Sequence, residues 1–311
     1  MNIVVLGAGS WGTALARLLC ENQQNVTLHS WMPEHIQQMR ADGENKQFLP
    51  GAVLPPALTL TADLSVVRQA DLVLFAVPSA ALASVAEEAQ PYLRPDTLLV
   101  NVAKGFEQGG TRRLSQVLAE ACPGHHCVAL SGPSHAEEVA LAHPTLVVVA
   151  GAPLPILQQV QMVFSNSYFR VYTNTDLIGV EVGGAVKNVI ALCAGVLDGL
   201  GLGDNAKAAL MTRGLAEISR LGVAMGAKAA TFSGLAGMGD LIVTCTSRHS
   251  RNYRAGVRIG QGVPCKQVVQ EMGMVVEGVY ATKCVRQLSR VYQVDVPICD
   301  KCYQVLYEGE D

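Results

Sequence analysis

The 311-residue sequence predicts an α/β protein: an amino-terminal doubly wound parallel sheet followed by an all-helical carboxy-terminal domain. Three observations carry that expectation. Short apolar runs alternate with helical segments through the first half. A glycine-punctuated turn follows the first of those runs. Beyond about residue 176 the strand pattern stops and helical periodicity takes over. Uninterrupted apolar runs belong to strands buried on both faces, which is what a parallel sheet covered by helices produces. We place the division at 1–178 and 179–311.

Residues 3–6 form the first expected strand and 25–29 (Asn-Val-Thr-Leu-His) the second. Strands at 71–77, 97–103, 127–130 and 146–150 follow, with 169–172 as an edge candidate. Helices are expected at 11–21, 33–41, 63–69, 79–90, 111–121, 134–142 and 153–164. Pro50 and Pro56 bracket a surface loop. In the second half, glycine clusters near 199–203, 234–239 and 260–262 punctuate helices. A long helix starting near Asp176 is the expected junction, so a cleft is expected between the domains.

The first turn is the most informative element. Gly7, Gly9 and Gly12 stand at G-x-G-x-x-G spacing between an apolar strand and an apolar helix. A dinucleotide needs that order. One glycine permits the tight turn, one lets backbone approach the pyrophosphate, and one lets helix and strand pack closely. The helix N-terminus then offers free N–H groups and a positive dipole end to the anion. This is a Rossmann-like nucleotide domain.

Bulk composition excludes other classes. Half the residues are apolar, 16 % are charged, and the net charge is −3. No basic footprint for nucleic acid or a membrane surface is present. The chain enters a strand at Asn2, so no signal peptide is expected. The longest apolar stretch, 186–202, is broken by Asp198 and by glycines, so no membrane span is expected. Nine cysteines without a repeating framework read as reduced thiols of a cytoplasmic protein. Cys299 and Cys302 form a single C-x-x-C with no second pair or histidine pair, so they read as ordinary thiols on a helix, and no metal is expected.

Ligands of an open parallel sheet bind outside the carboxyl ends of its strands. Lys104 follows the strand at 97–103, and Gly132 and Ser134 follow the strand at 127–130. Ser134 and Glu137 fit a capping box, S-x-x-E, which by itself is a structural device. Lys187 lies on an apolar helix with Gly183 and Gly184 one turn before it and Ala191 one turn after. Buried there, its amine would titrate well below its usual pKa of about 10.4 and act as a base; the alternative is a lysine snorkelling to solvent. A third cluster runs from Gly234 through Asp240 and Thr244 to Ser250, Arg251 and Asn252. Hydroxyls, an amide and guanidinium forks suit a phosphate.

Taken together these motifs resemble the bacterial-type NAD(P)-dependent glycerol-3-phosphate dehydrogenases. The matching stretches are Gly7-Ala-Gly-Ser-Trp-Gly-Thr13, Phe48-Leu-Pro-Gly51, Phe75-Ala-Val-Pro-Ser79, Lys104-Gly105, Ser131-Gly-Pro-Ser-His-Ala136, Lys187-Asn188, Gly234-Leu-Ala-Gly-Met-Gly-Asp-Leu241, Ser250-Arg-Asn252 and Val276-Glu-Gly278. The resemblance implies an oxidoreductase that interconverts sn-glycerol 3-phosphate and dihydroxyacetone phosphate for phospholipid synthesis, as a homodimer. It implies Lys187 as the proton acceptor, with Asp240 and Lys104 beside it. It places Ser10, Trp11, Lys104, Ala136, Arg251, Val275 and Glu277 around the cofactor. It places Lys104, Gly132, Ser134, Lys187, Asp240, Ser250, Arg251 and Asn252 around the substrate. The coenzyme is NAD or NADP. The second strand ends in His29-Ser30-Trp31, which offers neither the acidic residue that favours NAD nor the arginine that favours NADP. Dual use or weak discrimination between the two is the expectation. Phe48 stands where the family often has tyrosine. Two rival readings share the scaffold: a β-hydroxyacid or 6-phosphogluconate-type dehydrogenase, and a nucleotide-binding regulator without turnover.

Overall fold

The computed structural model describes residues 1–310; Asp311, the end of the expected helical domain, lies outside the described residues. The chain divides into two compact units. The first comprises 1–103, 114–130 and 134–175; the second comprises 104–113, 131–133 and the chain from Asp176 onward.

The first unit carries one eight-stranded sheet. Its strands are β1 (Asn2–Leu6), β2 (Asn25–His29), β3 (Thr59–Thr61), β4 (Leu72–Phe75), β5 (Leu98–Asn101), β6 (Cys127–Ser131), β7 (Thr145–Ala150) and β8 (Phe169–Asn174). They lie in the order β3-β2-β1-β4-β5-β6-β7-β8. The pairs β3–β2, β2–β1, β1–β4, β4–β5, β5–β6 and β7–β8 are parallel. The order reverses between β1 and β4, the switch point at which such sheets bind ligands.

Alternation along each strand explains the two layers of core. Ile3, Val5, Leu72, Leu74 and Val100 face one side. There they meet Leu15 and Leu18 of helix α1 (Ser10–Glu21) and Leu157 and Val160 of the helix Leu154–Phe164. Val4, Leu6, Val73, Phe75 and Leu99 face the other, against Leu82 and Ala86 of the helix Leu82–Ala89 and Leu118 of the helix Leu114–Ala121. Burial on both faces is why these strands read as continuous apolar runs.

Several expected boundaries shift. The expected strands at 71–77 and 97–103 keep only their central residues. The expected helix at 79–90 divides into a 3-10 turn, Ser79–Ala81, and the helix Leu82–Ala89. The expected helix at 134–142 opens at Ala136, with His135 extended as its N-cap and no side-chain cap. His135, not Ser134, therefore occupies the N-cap position expected for the capping box. Strand β3 was not expected.

The second unit is helical and built around α2 (Leu177–Gly199), 23 residues long. Asp176 caps it: Oδ1 accepts from Gly179 N (2.9 Å), and Oδ2 accepts from Lys228 N (2.8 Å) and Thr231 Oγ1 (2.6 Å). Around α2 lie α3 (Gly203–Ala224), α4 (Ala229–Phe232), α5 (Asp240–Thr246), α6 (Arg251–Gly260), α7 (Cys265–Met272), α8 (Glu277–Tyr292) and α9 (Pro297–Tyr303). Val182, Val186, Val189 and Ile190 of α2 share one core with Leu221, Leu241, Val285 and Leu288. By length and composition α2 could cross a bilayer, with mean hydropathy 1.6, contrary to the broken stretch read from the sequence. Yet 83 % of its most apolar stretch is buried within the protein. It is a core helix.

Glycines set how closely α6 approaches α2. A Cβ on Gly195 would stand 2.1 Å from Tyr253 O, and one on Gly256 would stand 2.0 Å from Leu192 O. Gly199 and Gly260 repeat the arrangement one turn on. With small residues at four-residue spacing on both helices, the two backbones touch. Cys299 and Cys302 lie buried on α9, and all nine cysteines are free thiols.

Candidate active site

In the first unit the three glycines have separable roles. Gly7 turns the chain with φ +108°, and a Cβ there would stand 2.6 Å from Ala76 O, beyond the end of β4. A Cβ on Gly12 would stand 1.9 Å from Gly7 O, so that position sets the contact between α1 and the turn. A Cβ on Gly9 would meet nothing within 4 Å. Gly9 is the N-cap of α1, so the open side of the turn faces the free N–H groups of the first helical turn. A pyrophosphate fits that concavity. Ser10 opens α1, and Trp11 packs partly buried against the core beside it.

A buried polar chain braces this turn from behind, and sequence reasoning missed it. Asn45 donates to Ala8 O (2.8 Å) and to Thr13 Oγ1 (2.8 Å). Its Oδ1 lies 3.0 Å from His35 Nε2, and His35 Nδ1 lies 3.3 Å from Ser30 Oγ. Ser30 therefore faces inward, and Trp31 stands 79 % exposed at the end of β2. Burial lowers the His29 imidazole, so it offers no cation to a 2′-phosphate at neutral pH. Ser134 and Ala136 also belong to the first unit; Ala136 is buried in the first turn of its helix.

The second unit contains the titratable cluster. Lys187 is 5 % exposed and points into the protein, not to solvent. Its Nζ donates to Asp240 Oδ1 and to Thr244 Oγ1 (2.6 Å). Thr244 lies one turn after Asp240 on α5 and donates its own proton to Asp240 O (2.6 Å). Lys104 Nζ donates to Asp240 Oδ2 (2.8 Å) and to Gly132 O (2.8 Å). Gly132 has φ +141°, a conformation that suits glycine and aims this carbonyl at the lysine. Asp240, 1 % exposed, thus bridges two ammonium groups at the first residue of α5. The glycine-rich turn Leu235–Gly239 delivers it. A Cβ on Gly183 would stand 2.5 Å from Ala236 O, so only glycine lets this turn lie against α2.

The charges explain the chemistry available. Two lysines share one carboxylate in a dry site, so the protonated cluster carries a net positive charge. Burial lowers the Lys187 amine to about 7, opposed by Asp240 and assisted by the Lys104 charge. A neutral amine has two N–H bonds and one lone pair. Asp240 and Thr244 take the two donors, which leaves the lone pair to accept a proton.

A second network adjoins the first. Ser250 caps α6, accepting from Tyr253 N (3.2 Å), and Arg251 and Asn252 form the first turn. Asn252 Nδ2 donates to Asn188 Oδ1 (2.9 Å), and Asn252 Oδ1 accepts from Gly278 N (2.8 Å). Asn188 follows Lys187 on α2, and Gly278 follows Glu277 at the start of α8. The structure therefore brings Lys104, Gly132, Lys187 and Asp240 into one bonded chain. It joins Asn252 to the residues next to Lys187 and Glu277. Val275 lies half-buried just before α8. Thr244 was expected among the hydroxyls of a phosphate cluster and instead accepts from Lys187; it stands four residues after Asp240, a spacing that puts both on one helix face. Asn188 was not expected as a site residue.

Two family models cover nearly the whole chain. NAD-dependent glycerol-3-phosphate dehydrogenase N-terminus matches 2–154, and NAD-dependent glycerol-3-phosphate dehydrogenase C-terminus matches 176–311. Glycerol-3-phosphate dehydrogenase [NAD(P)+] of Desulfitobacterium hafniense is 54 % identical over 309 residues, 99 % of this chain and 88 % of that protein. The protein of the same name from Moorella thermoacetica is 54 % identical over 310 residues, 99 % of this chain and 92 % of its own. The crystal structure of glycerol-3-phosphate dehydrogenase from Coxiella burnetii superposes with TM-score 0.96 at 39 % identity, covering 100 % of this chain and 95 % of that one. With an eight-stranded nucleotide-binding sheet, a lysine–aspartate cluster in a helical unit and relatives that match almost the whole of this chain, the chain belongs to the NAD-dependent glycerol-3-phosphate dehydrogenase family and is an oxidoreductase that uses NAD or NADP.

Proposed function

We propose that this chain interconverts sn-glycerol 3-phosphate and dihydroxyacetone phosphate, with Lys187 as the general acid and base. The observation that carries the assignment is the buried Lys187 amine, lowered to about 7 and held by Asp240 and Thr244. A base working near neutrality needs a pKa near neutrality. When bound at the glycine turn, the nicotinamide coenzyme accepts or supplies the hydride. Neutral Lys187 takes the proton of the C2 hydroxyl as the C2 hydride departs. In reduction, the charged amine polarises the C2 carbonyl and returns that proton. Asp240 and Thr244 hold Nζ in place, and Lys104 adds positive field for a dianionic substrate. Arg251, Asn252 and the N–H groups opening α6 hold the phosphate; Ser250, Gly132 and Ser134 complete the substrate contacts. Ser10, Trp11, Ala136, Arg251, Val275 and Glu277 contact the coenzyme, in keeping with the family resemblance.

The same reading makes the protein a cytoplasmic homodimer that supplies glycerol phosphate for phospholipid synthesis. Nine free thiols suit a reducing compartment. Light scattering of the purified chain tests the dimer. The test of the reaction is steady-state reduction of dihydroxyacetone phosphate with NADH and NADPH side by side. Turnover is expected with both, and turnover confined to carboxylate substrates would overturn the assignment. Lys187→Ala is expected to abolish turnover and to spare coenzyme affinity; retained activity would remove the lysine from its role.

A further inference from the structure

Beside the lysine cluster lies a hydroxyl that the mechanism does not use. Ser131 ends β6, is 6 % exposed, and its Oγ makes no hydrogen bond within the protein. Among the described residues the only other buried side-chain polar atom in that condition is Arg17 Nε. Ser131 Oγ faces Gly184, three residues before Lys187 on the same face of α2. A Cβ on Gly184 would stand 2.9 Å from Ser131 Oγ and 3.6 Å from Lys104 Cγ. The hydroxyl, the Lys104 stem and the bare backbone of α2 thus converge one helical turn from the reacting amine.

This inference rests on the glycerol phosphate reading and extends it. The substrate presents three polar groups. The phosphate goes to the start of α6, and the C2 oxygen goes to Lys187. The C1 hydroxyl remains, and it both donates and accepts. Lys104 Nζ gives two of its three N–H bonds to Asp240 and Gly132, and as an ammonium it has no lone pair to accept from the C1 hydroxyl. Ser131 Oγ has the matching capacity, one donor and two lone pairs, and leaves it unused inside the protein. We propose that Ser131 is a specificity-determining residue that hydrogen-bonds the C1 hydroxyl and selects substrates carrying it. A site built to bond a substrate hydroxyl discriminates against the analogue lacking it, because a buried polar group is then left unpaired.

The test compares dihydroxyacetone phosphate with hydroxyacetone phosphate, the same ketone without the C1 hydroxyl. The wild-type protein is expected to prefer the former by about tenfold or more in kcat/KM. Ser131→Ala is expected to lower kcat/KM for dihydroxyacetone phosphate about tenfold, the equivalent of about 1.4 kcal/mol, and to collapse the preference towards unity. A purely structural role would lower both ketones together and keep the ratio, which would overturn the proposal. A wild-type protein without preference would overturn it as well. Absence of wild-type turnover with dihydroxyacetone phosphate would instead bring down the function reading and this inference with it. Should the alanine protein not fold, Ser131→Cys, nearly the same shape but a weak donor, carries the same comparison with the same two outcomes.

Discussion

Replacing Lys187 by methionine separates the energetic role of the amine from its chemical one. In the folded protein burial lowers the amine from 10.5 to about 7. The unfolded chain keeps the higher value. Between those two pH values the unfolded state therefore binds one proton more than the folded state. Stability must rise with pH across that window, at about 1.4 kcal/mol per pH unit. Over the whole window the effect is on the order of 5 kcal/mol, which is the penalty for burying the charged form. Methionine has similar length, no charge, and leaves Asp240 paired with Lys104. At pH 7 the Lys187→Met protein is expected to be inactive yet at least as stable as the wild type. Urea unfolding of both proteins at several pH values from about 7 to about 9 measures the difference, and subtraction removes every group common to both. The wild type should gain on the variant by about 1.4 kcal/mol per pH unit. A flat difference, or one of opposite sign, would mean that the amine is not held neutral by burial, and the argument for a base at Lys187 would fall.

The same titration shapes turnover: kcat/KM for glycerol 3-phosphate oxidation should rise with pH through about 7, and that for ketone reduction should fall through the same point, read from pH–rate profiles with saturating coenzyme. Asp240→Asn removes the carboxylate that favours the charged amine and leaves Lys104 to disfavour it, so the reduction profile should shift to lower pH by about one unit or more; an upward shift would contradict the assigned charges. Gly12→Ala places a methyl 1.9 Å from a backbone oxygen and should cost about 1–3 kcal/mol in unfolding experiments as well as coenzyme affinity. Gly9→Ala, with no protein atom within 4 Å, should leave stability within about 0.5 kcal/mol and still weaken NADH binding in a fluorescence titration.

The sheet was legible in the sequence where burial on both faces forced continuous apolar runs, as in β1, β4 and β5. It was not legible at β3. Thr59–Thr61 is three residues of mixed polarity, and its strand character comes from pairing with Thr27, Leu28 and His29. The helix after β6 was expected two residues early because Ser134 and Glu137 satisfy a local spacing rule; extended backbone at His135 delays the first turn. Lys187 stood out as a lysine in an apolar helix, and Asp240 as an acid after a glycine turn. That the two touch is a contact across 53 positions, which no local pattern encodes. The Ser131 hydroxyl and the Asn45 brace are likewise visible only once separate segments are packed together.

The interlocked glycines of α2 and α6 make the pair of helices a ruler. One edge carries the amine at Lys187, and the other begins at Arg251. Where backbones touch, no side-chain rotamer can lengthen or shorten the gap. With the substrate held between these two ends, as proposed above, tolerance for a longer or shorter carbon skeleton would be decided by main-chain geometry. Evolving this scaffold towards tetrose or two-carbon phosphoesters would require reseating an entire helix, not exchanging residues in the pocket.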